Sequence, residues 1–368
     1  MQTGMPGSVV TRRSALTSLA GVIATIANGG AIAQQPQLRK IRYGFAFNAI
    51  TPVIINVIVA EYLGYFRQEG ITVEPLPLGS LALVSAQLSA GRIEVGASSM
   101  EFALTQLAKG EKYNQVAFFE TAYPFKWAIA VKPESDLRSL AQLRGKRMGV
   151  TAFGITDFEM GKALLRLEGI DPEKDVTWTA VGAGVLAGLA LSRGNVDALI
   201  YFDTGFGQIE EQGIPLRYLD LPKSRPNVGG ILFWTTPTLI SSSRAEIVGF
   251  GRATAKAQAF ILENPRAAAE IFLRAYPEAA PKGKSREEQI AATLVPIVKR
   301  MPLYKHYDPM VKDVGFISPA EISEEARFYG VDQKIGDQLT HLFTNELAPE
   351  TSAFDVDKIV AEAKSFTM

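Results

Sequence analysis

The sequence repeats itself, and this repeat constrains the fold more than any other feature. Residues 79–94 and 182–197 align without a gap: both begin with glycine, contain Leu-Ser-x-Gly and end with an acidic residue. Glu69-Gly70-Ile71 ahead of the first copy matches Glu168-Gly169-Ile170 ahead of the second. Any two β-α-β units share the pattern strand, turn, helix, glycine cap and strand, but the ungapped register favours a duplication. We therefore predict two similar lobes with a ligand-binding cleft between them.

Short apolar strands alternate with helical patterns along the chain, which predicts βαβ units and mostly parallel sheets. The predicted strands are Lys40–Phe47, 71–78, 93–98, 114–122, Trp127–Val131, Arg147–Thr151, Val176–Val181 and Val196–Phe202. The helices predicted between them are Val53–Gln68, 81–90, 100–109, Leu140–Arg144, Thr156–Glu168 and Val185–Arg193. The later helices are predicted near 244–263, 265–275, 286–300, 319–329 and 355–366, with a loop at 301–318.

The N-terminus has the three parts of a secretory signal peptide. Arg12-Arg13 stands just ahead of a weakly apolar stretch at 15–32, and Ala31-Ile32-Ala33 is an A-x-A-type cleavage site. The paired arginines favour the twin-arginine route, although the flanking residues depart from its usual motif. We predict that residues 1–33 are removed near Ala33 and that the mature chain works in the periplasm.

Composition excludes several kinds of partner and site. The 368 residues contain 38 basic and 38 acidic side chains and no cysteine, and loss of residues 1–33 removes two arginines, which leaves a net charge of −2. A nearly neutral chain has no electrostatic footprint for nucleic acid or anionic membranes. Without cysteine there is no disulfide, thiolate metal site or lipid-bearing residue at the cleavage point, so an outer membrane would have to retain the protein. The mature length predicts two domains.

Three ordered motifs resemble those of a known family. Glu61-Tyr-Leu-Gly-Tyr-Phe-Arg-Gln-Glu-Gly-Ile71 resembles its GYF-x-x-EG-hydrophobic signature, and Leu88-Ser-Ala-Gly-Arg-Ile-Glu-Val-Gly96 resembles its L-x-x-G-x-hydrophobic-acid-x-G element. The stretches 130–135 and 140–150 resemble the entry into the second lobe. The series, within 40–300, is similar to that of the ABC-transporter binding proteins for aliphatic sulfonates, taurine, nitrate and thiamine pyrimidines.

This resemblance implies an α/β type II periplasmic-binding fold, with two Rossmann-like lobes, a hinge of two crossover strands and a helical C-terminal segment. By analogy, lobe 1 covers 38–128 plus 237–368, and lobe 2 covers 129–236. The crossovers would be Trp127–Lys132 and Ile231–Thr236. Such hinge residues absorb the closure angle while each lobe moves as a rigid body.

Candidate ligand-binding residues follow from the rule that parallel sheets bind ligands beyond the carboxyl ends of their strands. Hydroxyls and backbone N–H groups at helix starts suit an acidic head group, and aromatic walls suit an apolar or planar body. The candidates are Asn48, Thr51, Gly79, Ser80, Ser98, Ser99, Tyr123, Phe153, Gly154, Thr156, Asp157, Tyr201, Asp203 and Phe233.

Several candidates also have a purely structural explanation. The serine and threonine candidates fit helix N-caps, a role that is compatible with ligand contact. Asp157 and Asp203 either cap helices or face the ligand, where they would favour an amine or a hydrogen-bonded ring. The aromatic residues expected in the core rather than the cleft are Phe45, Phe158 and Phe206.

Catalytic and cofactor chemistry finds little support in the sequence. Gly182, Gly184 and Gly188 imitate a dinucleotide fingerprint, but their spacing is one residue too long. His306 and His341 lack the spacing of a metal site or a catalytic triad. The family has an enzymatic cousin, the fungal pyrimidine synthase, which depends on a cysteine-rich motif absent here. We therefore predict no enzyme, no catalytic residue, no cofactor and no metal.

The predicted function is that of a solute receptor for an ABC importer. Ligand contacts with both lobes would favour a closed form, which is presented to an ABC permease and its ATPase at the inner membrane. The predicted ligand is a small organic solute, a sulfonate, carboxylate or pyrimidine-like compound, because the candidate turns contain no arginine to hold a fully charged ion such as nitrate. We expect a monomer that binds no nucleic acid. Two alternatives stay open, a ligand-responsive periplasmic sensor subunit and a secreted enzyme that uses a cleft carboxylate.

Overall fold

A computed structural model describes residues 38–367, and the predicted signal peptide at 1–33 lies outside the described residues. The strands are β1 (Arg39–Phe45), β2 (Ile71–Pro77), β3 (Val95–Ser98), β4 (Val116–Ala122), β5 (Trp127–Val131), β6 (Arg147–Val150), β7 (Thr177–Ala180), β8 (Ala198–Phe202), β9 (Arg217–Tyr218) and β10 (Ile231–Thr235).

Helices cover both sheets and form most of the C-terminal segment. They are α1 (Ile55–Tyr62), α2 (Tyr65–Gln68), α3 (Leu81–Ser89), α4 (Met100–Ala108), α5 (Thr156–Leu167), α6 (Val185–Ser192), α7 (Asp203–Glu211), α8 (Pro237–Ser242), α9 (Arg244–Glu263), α10 (Pro265–Ala275), α11 (Arg286–Arg300), α12 (Pro319–Phe328), α13 (Asp332–Ile335), α14 (Ala348–Thr351) and α15 (Val356–Ser365). Short 3-10 helices are Pro52–Ile54, Leu140–Leu143, Pro277–Ala279, Met301–Tyr304 and Gly336–His341.

The strands form two five-stranded sheets within the described range. The first sheet has the order β2-β1-β3-β10-β4 and the second the order β7-β6-β8-β5-β9. In each, the three strands at one side are parallel, and the fourth and fifth include antiparallel pairs. The chain passes from the first sheet to the second at 123–126 and returns at 219–230; we call these two stretches the crossings.

The repeat read from the sequence occupies the same place in both sheets. Its glycines at 79 and 182 lie just after β2 and β7 and have φ of +77° and +83°, a left-handed turn that residues with a Cβ rarely adopt. The acids that end each copy, Glu94 and Asp197, accept hydrogen bonds from the backbone N of Arg42 and of Arg147, both at 2.8 Å. Each arginine also pairs with that acid through its guanidinium. Equivalent backbone and side-chain bonds therefore brace the two sheets.

Each sheet has its own buried core. Around the first sheet, Tyr43, Phe118 and Phe233 of the strands form a core with residues of α1 and α9, among them Phe250 of α9. Around the second, a separate set of buried apolar residues packs between β5, β6, β8 and helices α5–α7. Phe47 and Val53 are partly buried against both cores, so the two sheets meet near the end of β1.

The structure departs from the predicted elements in several places: the short elements β9, α8, α13 and α14 were not predicted, and three further differences follow. The single helix predicted over Val53–Gln68 is divided, because Gly64 has a φ of +73° and separates α1 from α2. Helix α7, which follows β8, was not predicted. The predicted loop at 301–318 begins with the 3-10 helix Met301–Tyr304, which extends α11.

The C-terminal segment contacts helices that pack on both sheets, because α9 packs against α1 and α11 packs against α7. Helix α11 packs against α7, where the backbone of Pro296 meets Gly207. Two ion pairs also connect the ends of these helices. Lys284, just before α11, pairs with Glu211 of α7 at 2.7 Å, and Lys299 of α11 pairs with Glu210 of α7 at 2.8 Å. The lobe boundaries given above stay a prediction.

Candidate functional site

A cavity of about 450 Å³ lies between the two sheets, where strands from both sheets end. The first sheet contributes the ends of β1 and β3 together with β10. The second sheet contributes the residues that follow β6 and β7 and the end of β8. Helices α4, α5 and α6 begin at these strand ends, so their first turns border the cavity. Ligands bind at this position in α/β sheets.

Eight of the residues predicted from the sequence line this cavity. They come from both sheets, which explains why no local pattern in the chain connects them. They are Asn48, Thr51, Gly79, Ser98, Ser99, Thr156, Tyr201 and Phe233. Their contact with a ligand stays a prediction.

Two contacts cross the cavity from one sheet to the other. The hydroxyls of Ser99, after β3, and Thr156, at the start of α5, are 2.8 Å apart and buried. The rings of Phe47 and Phe202 lie 5.7 Å apart between centroids. Ser99 precedes α4 but makes no side-chain cap there, so its hydroxyl serves the contact between sheets rather than the helix.

Tyr201 positions the turn that follows β7. Its side chain is fully buried, and its hydroxyl accepts a hydrogen bond of 2.6 Å from the backbone N of Gly184. Burial is the main reason that the pKa of Tyr201 rises to about 12. The phenol is therefore neutral at physiological pH and keeps an O–H that can donate into the cavity it lines.

Four predicted residues without charge lie outside the cavity lining. Ser80 caps α3, where its Oγ accepts a hydrogen bond of 3.2 Å from the backbone N of Leu83. The hydroxyl of Tyr123 accepts 2.9 Å from the N of Gly315, so it is used by the C-terminal segment. Phe153 and Gly154 are exposed, Phe153 to 59%. These positions follow strand ends, as predicted, but Ser80 and Tyr123 bond other parts of the chain, and Phe153 and Gly154 face solvent.

The two predicted carboxylates also lie outside the lining. Asp157 is fully buried and accepts a hydrogen bond of 2.7 Å from the backbone N of Thr151; burial raises its pKa to about 6. Asp203 accepts from Nε and Nη2 of Arg300 at 2.5 and 2.6 Å. Each acid therefore supports a neighbouring cavity residue instead of facing the cavity.

Eight polar residues of the cavity were missed by the sequence reasoning: Asn56, Thr121, Thr151 and Gln208, and four with titratable side chains. Tyr43 lies within β1, Lys126 in the first crossing, Arg300 at the end of α11 and Tyr304 in the 3-10 helix beyond it. The candidate turns contain no arginine, as the sequence analysis noted, but Arg300 brings a guanidinium to the cavity from a distant helix. The bidentate geometry of Arg300 with Asp203 could be known only from the fold.

Lys126 is buried at the point where the two crossings meet. Its Nζ donates to the carbonyl of Gly229 and, at 3.0 Å, to the carbonyl of Gly230, and it stacks on the Trp127 ring with the centroid 4.5 Å away. Desolvation and then the charge of Arg300 lower the pKa of Lys126 to about 7. A buried lysine amine whose pKa lies near neutrality can lose its proton at physiological pH, so it can act as a base or nucleophile as well as a cation.

The described residues contain no group of three or more histidines and acids that could hold a metal ion. Between residues 38 and 367 there is also no helix that is long and apolar enough to cross a membrane.

Comparison with protein families decides which family the chain belongs to. The model of the family described as "NMT1/THI5 like" matches residues 51–268, more than half of the chain. The chain belongs to the NMT1/THI5-like family. Within this NMT1/THI5-like protein, the matched region contains every strand except β1. The cavity residues on and just after β1, such as Tyr43, Phe47 and Asn48, precede the match, and Arg300 and Tyr304 follow it.

Curated relatives of this NMT1/THI5-like protein are named as enzymes. The Saccharomyces cerevisiae protein 4-amino-5-hydroxymethyl-2-methylpyrimidine phosphate synthase THI13 is 26% identical over 149 residues, which are 40% of this chain and 42% of that protein. The Legionella pneumophila synthase of the same name is 25% identical over 244 residues, 62% of this chain and 71% of its own. The prediction that the chain is not an enzyme is contradicted by these relatives, and a missing cysteine motif did not justify it.

Solved structures with similar folds include solute-binding proteins. The alkanesulfonate-binding protein SsuA from Xanthomonas axonopodis pv. citri, bound to MOPS, is 16% identical with a TM-score of 0.62, over 84% of this chain and 99% of that one. The periplasmic nitrate-binding protein NrtA from Synechocystis PCC 6803 is 14% identical with a TM-score of 0.60, over 90% and 100%. These likenesses confirm the predicted type II periplasmic-binding fold.

Proposed function

We propose that this NMT1/THI5-like protein is the periplasmic solute-binding component of an ABC importer. One observation carries the proposal: a cavity of about 450 Å³ is lined from both sheets and bridged by the Ser99–Thr156 hydroxyl contact. A ligand in this position touches both halves of the molecule, so its binding free energy can favour a closed arrangement. The names of the sulfonate-binding and nitrate-binding structures support the same role.

The partners and the compartment follow from that role. The ligand is a small organic solute, and the closed protein delivers it to an ABC permease and its ATPase at the inner membrane. Export depends on the signal peptide proposed at residues 1–33, and the mature protein acts as a monomer in the periplasm. A receptor that serves a sensor instead of an importer would bind its ligand in the same cavity.

A second candidate is an enzyme that acts on a pyrimidine-type substrate in the same cavity. The names of the curated relatives favour it. The buried amine of Lys126, whose pKa is lowered to about 7, is also the type of group that serves as a nucleophile or general base.

A thermal-shift screen combined with product analysis tests both candidates. Sulfonates, carboxylates and pyrimidines would be added to the purified mature protein, and each mixture analysed afterwards by mass spectrometry. Ligand at about 100 times its Kd should stabilise the protein by about 2.7 kcal/mol. A stabilising compound that is recovered unchanged supports the receptor, and a compound that is converted supports the enzyme.

A pair of phenylalanine variants locates the binding site. Phe47→Ala removes a wall of the cavity and should abolish the ligand-induced shift. Phe153→Ala is the matched control, because that ring is 59% exposed and lies outside the cavity lining. Equal ligand shifts in both variants would contradict binding in the cavity, and loss of solute uptake on gene deletion would separate the importer from the sensor.

A further inference from the structure

Two polar atoms in the cavity lining have no hydrogen-bond partner among the described residues. They are the hydroxyl of Tyr304 and Nε1 of Trp127, and both are buried. Leaving a buried donor unpaired costs about 1–3 kcal/mol, and a molecule bound in the cavity could supply the missing partner. Both atoms are donors, since an indole N–H only donates and a phenol O–H readily does. The cavity therefore contains unpaired hydrogen-bond donors that a ligand with acceptor atoms would satisfy.

The charges around the cavity are not balanced. Lys126 and Arg300 both line it, and in the described part of the chain no aspartate or glutamate does. Asp203 takes up the charge of Arg300 through two hydrogen bonds, whereas Lys126 is held by two backbone carbonyls.

The other acids near Lys126 compensate its charge poorly. Glu120 and Glu325 lie behind it, and burial raises the pKa of Glu120 well above 4.5 and that of Glu325 to about 7. Glu120 is therefore mostly protonated near neutral pH, whereas Glu325 is about half protonated at pH 7. Together with the pairing of Arg300, this leaves the positive charge of Lys126 only partly compensated when the amine carries its proton.

The same donors and charges lie together at one end of the cavity. Lys126 ends the first crossing and Trp127 begins β5, while Gly230 ends the second crossing and Ile231 begins β10. Arg300 is a close enough neighbour of Lys126 to lower its pKa, and of Tyr43 and Tyr304 to affect theirs. We call the set Tyr43, Lys126, Arg300 and Tyr304 the basic end of the cavity.

The rest of the lining suits a flat apolar body. Aromatic side chains from both sheets face the cavity, and their rings offer planar contact surfaces. The aromatic residues that line it besides the basic end are Phe45, Phe47, Trp127, Tyr201, Phe202 and Phe233.

We propose that the ligand is a planar organic monoanion, an aromatic or heteroaromatic acid, whose acid group lies at the basic end and accepts hydrogen bonds from Lys126, Arg300 and Tyr304. This inference rests on the proposed solute-binding function and assigns the ligand's charge, shape and orientation. The acid group supplies acceptors to the unpaired donors and one negative charge to the partly compensated amine of Lys126. A neutral pyrimidine meets neither demand, and a dianion brings one buried charge too many.

Matched acid and amide probes test the charge. Calorimetry on the mature protein at pH 6.5 would compare benzoate with benzamide and nicotinate with nicotinamide, with benzenesulfonate and phthalate as a second monoanion and a dianion. Each acid should bind at least tenfold more tightly than its amide, and benzenesulfonate more tightly than phthalate. Amides or neutral pyrimidines that bind as well as the acids would overturn the proposal.

Two variants test the orientation. Tyr304→Phe deletes a hydroxyl that has no protein partner, so the ligand-free Tm should stay the same while affinity for the acids falls about fivefold to tenfold. Tyr329→Phe is the matched control, because it removes another unpartnered buried hydroxyl outside the cavity lining. Lys126→Gln should remove most of the preference for acids over amides. Unchanged acid affinity in both Tyr304→Phe and Lys126→Gln would overturn the proposal.

The outcomes separate this inference from the proposed function. If a neutral heterocycle binds and Phe47→Ala abolishes its binding, the solute receptor stands and the acid-binding inference fails. If none of the probes stabilises the protein and the purified protein carries no small molecule in native mass spectrometry, both fail.

Discussion

Gly207 lies on the face of α7 that meets α11, and it has no room for a side chain. A Cβ at this position would lie 2.7 Å from Cα and 3.0 Å from N of Pro296, which are rigid backbone atoms. Glycine to alanine in a helix interior normally stabilises by about 0.5–1 kcal/mol. Gly207→Ala should instead destabilise by about 1–3 kcal/mol, because the two helices must separate. Urea unfolding measures this change, and a gain in stability would contradict the contact.

Single residues were the hardest part of the site to predict. Ser99 and Thr156 were found because hydroxyls at the ends of parallel strands are a local pattern. Arg300 was missed because its function depends on Asp203, 97 residues earlier in the chain, and no local pattern records that pair. Lys126 was missed because a lysine in an apolar stretch gives no hint that two carbonyls from the other crossing will surround it.

Helix α4 carries a buried acid directly behind the contact between the two sheets. Glu101 accepts a hydrogen bond of 2.9 Å from Thr105. Burial raises the pKa of Glu101 to about 7; the bond from Thr105 opposes this rise and the charge of Glu159 adds to it. The folded protein therefore holds a proton that the unfolded chain releases near its ordinary value. This contribution to stability is complete below pH 4.5 and is lost as the pH rises toward 7.

Glu101→Gln should remove this part of the pH dependence. Glutamine resembles the protonated acid and keeps the acceptor for Thr105, so the variant should match the wild type near pH 4.5. Above pH 7.5 it should be more stable by up to roughly 3 kcal/mol, the equivalent of a pKa displaced from 4.5 to about 7. Urea midpoints from pH 4.5 to 8 measure the difference, with exposed Glu111→Gln as control. A difference that does not grow with pH would disprove the buried charge.

Whole helices were predicted better than the breaks within them and the contacts between them. The sequence pattern located α9, α10 and α11, because long amphipathic stretches begin with a cap or proline, such as Ser285 with Glu288 at the start of α11. The break at Gly64 was missed, since apolar periodicity continues through it on both sides. The packing of α11 on α7 was also missed, because its determinant is a small residue on the other helix.

At the scale of the molecule, the repeat explains the architecture and the cavity together. Two copies of one βαβ arrangement, each braced by an arginine on an acid, bring their strand ends to a shared cavity. The repeat does not explain the basic end, which the crossings and the C-terminal segment supply. The two halves are thus alike in fold and unlike in what they offer a ligand.

The Ser99–Thr156 contact gives a way to fix the two halves in one arrangement. The hydroxyl oxygens are 2.8 Å apart, and the chain has no cysteine, so Ser99→Cys with Thr156→Cys creates a single disulfide pair without competitors. Oxidised before ligand is added, the double variant should bind at least tenfold more slowly in stopped-flow measurements of tryptophan fluorescence. Oxidised with ligand inside, it should release that ligand at least tenfold more slowly, and reduction should restore both rates. Each single-cysteine variant is the control for effects of the thiols themselves. Wild-type rates in the fully oxidised protein would mean that the ligand enters and leaves without separation of the two sheets at this contact.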